Sequence, residues 1–164
     1  MRTTLLFAGL ALTLAVPNAL IVQKERLLER GTPVLLELAP VDPRSLIQGD
    51  YMRLDYAMTR PAVLGGGRDL ERDWPPDGHL VIALDSAGVA RFVRRDDGTP
   101  LGAGERLLRY RRRGWAVRVG TDAFHFQESH ADRYQGARYG ELRVDASGES
   151  VLVGLRDAER RPLE

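Results

Sequence analysis

The sequence predicts a mainly β protein: one antiparallel β barrel or sandwich-like domain with a short helix, preceded by a single N-terminal transmembrane helix. Three observations carry this reading. Thr3 to Val22 is a run of twenty residues without a charge. Beyond it, short apolar stretches recur between turn-forming residues, the pattern of successive hairpins. Between residues 51 and 56 the side chains alternate, with Met52, Leu54 and Tyr56 on one face of a strand and Tyr51, Arg53 and Asp55 on the other.

The uncharged run comes first. As a helix, twenty residues span about 30 Å, the thickness of a hydrocarbon core. Arg2 precedes the run and Lys24-Glu25-Arg26 ends it. A cleaved signal peptide needs small residues before the cut, and both Ala15-Val16-Pro17 and Pro17-Asn18-Ala19 place proline badly for one. A buried soluble helix would carry a polar stripe, which this run lacks. An uncleaved anchor through Thr3–Val22 into the lipid bilayer is therefore expected. Flanking charge slightly favours a cytoplasmic body, because Lys24, Arg26 and Arg30 outnumber Arg2 and the amino terminus. The very short basic tail and the apolar core from Leu5 to Val16 favour export, and an extracytoplasmic body is the reading adopted. Gln23 to Arg30 continues the helix until Gly31 stops it. The chain thus divides into an anchor with its juxtamembrane helix, residues 1–30, and a β domain, residues 31–164.

Within the β domain, Val34 to Ala39 is a first strand and Pro40 to Ser45 is turn chemistry. Gly49-Asp50 launches a second strand, Tyr51 to Met58. Ala62 to Gly78, with three consecutive glycines and Pro75-Pro76, reads as a long loop. Trp74 inside it either plugs one end of the barrel or lies at a partner surface. Three hairpins follow: His79–Leu84 with Val89–Arg94 across Asp85-Ser86-Ala87-Gly88, Leu107–Tyr110 with Trp115–Val119 across an arginine-glycine turn, and Tyr139–Val144 with Val151–Leu155 across Asp145-Ala146-Ser147-Gly148. Glu128 to Arg138 is briefly helical.

Composition removes several function classes. The chain has no cysteine, which excludes disulfides, thiolate catalysis, thiolate-held zinc and lipoprotein acylation. Of 24 basic residues only Lys24 is lysine, and 23 acidic residues nearly cancel the charge. Arg94-Arg95 is followed by Asp96-Asp97, and Arg111 to Arg113 reads as an exposed turn. No aromatic-interleaved basic motif accompanies them, so nucleic-acid binding is not expected. A serine/lysine dyad like that of membrane signal peptidases is excluded too: Lys24 sits beside the membrane segment, away from Ser45, and arginine stays protonated.

The eight residues Gly49-Asp50-Tyr51-Met52-Arg53-Leu54-Asp55-Tyr56 read G-D-Y-x-x-L-x-Y. A second block runs Phe124-His125-Phe126-Gln127-Glu128, then Tyr134, then Ala137-Arg138-Tyr139-Gly140-Glu141-Leu142-Arg143-Val144-Asp145, with Ser129 where the pattern leads one to expect glycine. With Pro43-Arg44-Ser45-Leu46, these blocks resemble the GDYXXLXY family of bacterial membrane-anchored proteins, whose activity is unassigned. The resemblance implies a single-anchor protein of the bacterial cytoplasmic membrane whose partner is a multi-pass membrane protein.

The candidate binding residues are those where motif and polar chemistry coincide: Asp50, Tyr51, Gln127, Glu128, Arg138 and Glu141, together with Trp74. No catalytic residue, cofactor or metal is assigned. His79, His125 and His130 lack the spacing of a metal site. A carboxylate pair such as Glu128 with Glu141 has the residue types for glycan hydrolysis, but pairing with Arg138, Arg143 or Arg53 is the commoner use of such groups. Two function classes follow. The first is a non-enzymatic accessory domain docking on a multi-pass partner. The second is a membrane-tethered hydrolase or ligand-binding domain acting on cell-envelope material through the carboxylates.

Overall fold

The structure, a computed structural model, describes residues 2–39, 47–48, 51–65, 73–126 and 131–163, with residues 2–8, 10–12, 47–48 and 131–132 described in backbone alone. A 29-residue helix, α1 (Arg2–Arg30), opens the chain. The strands follow as β1 (Thr32–Glu37), β2 (Ile47–Gln48), β3 (Tyr51–Arg53), β4 (Asp77–Leu84), β5 (Ala90–Arg95), β6 (Glu105–Arg113), β7 (Ala116–Val119), β8 (Ala123–His125), β9 (Tyr139–Val144) and β10 (Ser150–Arg156). Among the described residues two short helices intervene, α2 (Pro61–Leu64) and α3 (Ala131–Tyr134), with a turn of 3-10 helix at Ala57–Thr59.

The described strands form three sheets, in the orders β1-β9-β10, β2-β3-β8 and β5-β4-β6-β7. Every strand pairing is antiparallel, as the hairpin spacing predicts. All three sheets turn their apolar faces to one core. Val34 and Leu36 come from β1, Leu80 and Ile82 from β4, Leu108 and Tyr110 from β6, Leu142 and Val144 from β9, and Met52 from β3. β9 shows the sharpest period of two, burying Gly140, Leu142 and Val144 and leaving the residues between them half-buried.

The first and third predicted hairpins form where expected, with turns closed by Asp85 and Asp145. Each carboxylate accepts amide hydrogen bonds two and four residues on, at 2.9–3.1 Å. Four expectations are corrected. The strand predicted over Tyr51 to Met58 ends at Arg53. Leu54 donates its amide to Asp122, Asp55 accepts from Ala39, and Tyr56 bridges to Leu38, so this segment crosses from the β8 side to the β1 side. The Thr59 hydroxyl then bonds the Tyr56 carbonyl at 2.9 Å and closes the 3-10 turn. The alternation nevertheless holds: Met52, Leu54 and Tyr56 are buried while Tyr51, Arg53 and Asp55 are exposed. Arg111 to Arg113, read as a turn, are the last three residues of β6, paired with β7. Trp115, read as the start of a strand, lies in the turn. The predicted loop from Ala62 instead begins inside α2 and ends in β4.

The lower end of α1 is fastened to the body. Leu27 is buried, its carbonyl accepts the Gly31 amide at 2.9 Å, and Lys24 lies 4.0 Å from Glu149. Among the described residues no helix is long and apolar enough to cross a membrane.

Candidate functional site

The two motif blocks meet in the core. A Cβ placed on Gly140 would lie 3.1 Å from Cε1 of Tyr56 and 3.4 Å from its hydroxyl. Glycine in the second block therefore makes room for the last tyrosine of the first. Tyr56 is buried, its hydroxyl reaches the Thr121 carbonyl at 3.4 Å, and burial pushes its phenol well above the usual range. This tyrosine is a structural pillar.

Beside that pillar lies a cleft of about 730 Å³. Leu54, Tyr56, Val117 and Val119 give it an apolar lining, and Arg53, Asp55, Arg60, Arg118 and Asp122 supply its charge. Arg118 is ion-paired to Asp122, four residues on. Trp115 also lines it, the most exposed of the large hydrophobic side chains among the described residues at 63%. Arg112 braces the hairpin tip that carries it, donating from Nε to the Trp74 carbonyl at 3.0 Å and from its guanidinium to the Gly114 carbonyl at 2.6 Å. Its backbone amide adds a bond to the Pro76 carbonyl at 2.6 Å.

The sequence-predicted site residues are distributed differently. Trp74 is half-buried, packing on Tyr110 and Phe92 at centroid distances of 5.4 and 6.4 Å with the Arg95 guanidinium over its ring at 5.9 Å. Tyr51 lies in β3 with its ring tilted against His125 at 5.9 Å. Glu141 accepts a charge-assisted hydrogen bond of 2.7 Å from Nε of Arg156 and is ion-paired at 2.7 Å with a terminal nitrogen of the same guanidinium, with 14% of its side chain exposed. Its partner is thus an arginine across the β9–β10 pair rather than Arg138, Arg143 or Arg53. The Arg138 backbone links Arg156 to Leu38 at 2.8 Å on each side. Tyr51, Trp74 and Glu141 stand in or against three different sheets. Asp50, Gln127 and Glu128 lie outside the described residues, as do Ser45 and His130.

Sequence reading missed Trp115 and the cleft. An aromatic residue directly after Arg113-Gly114 was the available signal, because a tryptophan in a turn has no neighbouring strand to cover it. A family model described as "GDYXXLXY protein" matches residues 13–155, and the chain belongs to the GDYXXLXY family. No curated protein and no solved structure matches it.

Proposed function

We propose that this GDYXXLXY-family chain is a membrane-anchored, non-enzymatic accessory domain that docks a segment of a multi-pass membrane protein in the Trp115 cleft. The observation that carries the reading is an exposed tryptophan on a braced hairpin tip, beside an apolar cleft lined by Leu54 and Tyr56 of the family motif. Tryptophan is the residue type most enriched in interface hot spots, and exposed apolar surface rimmed by charge suits a protein partner.

The anchor is supported by the uncharged run Thr3–Val22 and by the described part of α1. Leu14, Val16, Leu20 and Ile21 are each more than half exposed, although the helix is fastened to the body at Leu27. The two described polar side chains within the uncharged run bond back to the helix backbone. Thr13 bonds the Gly9 carbonyl at 2.8 Å and Asn18 the Leu14 carbonyl at 2.7 Å. In hydrocarbon, where no water is available, polar groups are expected to be satisfied within the helix in this way. The proposed location is the bacterial cytoplasmic membrane, with the β domain outside the cytoplasm.

The envelope-hydrolase alternative draws on Glu128 and Glu141. Its support is weaker, because Glu141 is held by a hydrogen bond and an ion pair to Arg156. Affinity purification of the full-length chain from native membranes tests the proposal. Wild type should recover an integral membrane protein, and Trp115→Ser should lower that recovery several-fold with an unchanged melting temperature. Equal recovery by the variant would remove the cleft from the account.

A further inference from the structure

We infer that the outer face of β6 and β7 is a receptor for the phosphate of an anionic lipid headgroup, an inference resting on the anchor reading above. Period two along β6 sends Arg109, Arg111 and Arg113 to one face, about 7 Å apart. They line a depression of about 410 Å³ with Arg118 of β7 and Lys24 of α1. Five cations there face two carboxylates, Asp122 and Glu149. Both carboxylates are engaged, Asp122 by Arg118 and Glu149 by Arg109 and Lys24. The side chains of Arg111 and Arg113 are exposed and make no hydrogen bond or ion pair among the described residues.

The register sharpens the point. Arg111 stands directly across from Arg118, and like charges opposite one another on a sheet repel. On the β4 side the register sets Asp77 across from Arg111 without an ion pair between them, and the depression itself keeps an excess of positive charge that a bound anion would offset. Arginine forks suit phosphate oxygens in particular. Position selects the source of the phosphate. Lys24, two residues beyond the uncharged run, forms one wall, which sets the depression at headgroup level when Thr3–Val22 is in the bilayer. Arg118 and Asp122 also line the Trp115 cleft, so the same lipid would sit between the anchor and the docking surface.

The test uses the full-length chain in detergent and the double variant Arg111→Gln/Arg113→Gln. Native mass spectrometry is run with phosphatidylglycerol, with phosphatidylcholine and with inorganic phosphate alone. Wild type should prefer phosphatidylglycerol, and the variant should lose on the order of fivefold in affinity per arginine removed. Its melting temperature should stay about level, because the variant loses the repulsion across from Arg118 together with the attraction across from Asp77. Equal phosphatidylglycerol affinity in the two proteins would overturn the inference. So would inorganic phosphate binding that depends on the arginines while lipid binding does not. Carbonate extraction of native membranes separates the two readings. Release of wild type would overturn the anchor, and the lipid with it; retention with equal lipid affinity would overturn the basic depression alone.

Discussion

The contact between Gly140 and Tyr56 makes a quantitative prediction about why the two motif blocks occur together. An alanine Cβ at 140 would sit 3.1 Å from Tyr56 Cε1 and 3.3 Å from Leu152 Cδ1. The Leu152 side chain is only half-buried and can turn away, but the Tyr56 ring is 3% exposed and has nowhere to go. Forcing an extra methyl into such a site costs about 1–3 kcal/mol. Gly140 is not among the residues with positive φ, so alanine also recovers about 0.4–1 kcal/mol from the restricted unfolded chain. Gly140→Ala should therefore destabilise by a net of up to about 2.5 kcal/mol. In a Tyr56→Leu background the ring edge is gone. There Gly140→Ala should instead stabilise by about 0.4–1 kcal/mol. The double-mutant cycle, read by urea denaturation of the full-length chain in micelles with tryptophan fluorescence, should show a coupling of about 1–3 kcal/mol. Additivity within about 0.5 kcal/mol would refute the claim that one motif exists to make room for the other.

Leu54 is buried and Asp55 exposed, so Leu54→Ala should cost about 2–5 kcal/mol and Asp55→Ala far less in the same denaturation assay. Equal losses would mean that the segment is buried on both faces. Trp74→Ala removes ring contacts to Tyr110 and Phe92 and should cost about 2–3 kcal/mol, below the range for a fully buried ring; an unchanged melt would contradict the packing. The Val89 amide, and after it the Ala87 amide, holds the Asp85 carboxyl below its usual range. A depressed folded value means that the turn's contribution is present above about pH 4 and fades as pH falls through the folded pKa. A carboxyl NMR titration should place the Asp85 midpoint below the ordinary aspartate value, and a midpoint at or above it would contradict the turn.

Periodicity and turn chemistry were enough to read the hairpins at Asp85 and Asp145, because those turns are built by adjacent residues. The alternation at Met52, Leu54 and Tyr56 was legible for the same local reason. The end of the second strand was not, since it depends on Asp122, Ala39 and Leu38, which are distant in sequence. The arginines at 111 to 113 misled through composition. Three charges in a row look like a turn, yet in β6 they alternate, Arg112 bracing the Trp74 segment and its neighbours facing out. Long-range pairing likewise decided the fate of Glu141: the β9–β10 register sets Gly154 across from it, and Arg156, two places further along β10 and across from Tyr139, reaches it on the diagonal. The cleft was the least legible feature, because its walls come from the motif segment and β7, which only the fold brings together.

The central claim is that Trp115 and its cleft receive a membrane partner. A photoreactive amino acid placed at Trp115 in the full-length chain, and separately at the exposed Val93 on β5, tests it in native membranes. Position 115 should give an adduct to one multi-pass membrane protein and position 93 none. Adducts of equal yield from both positions, or from neither, would contradict it.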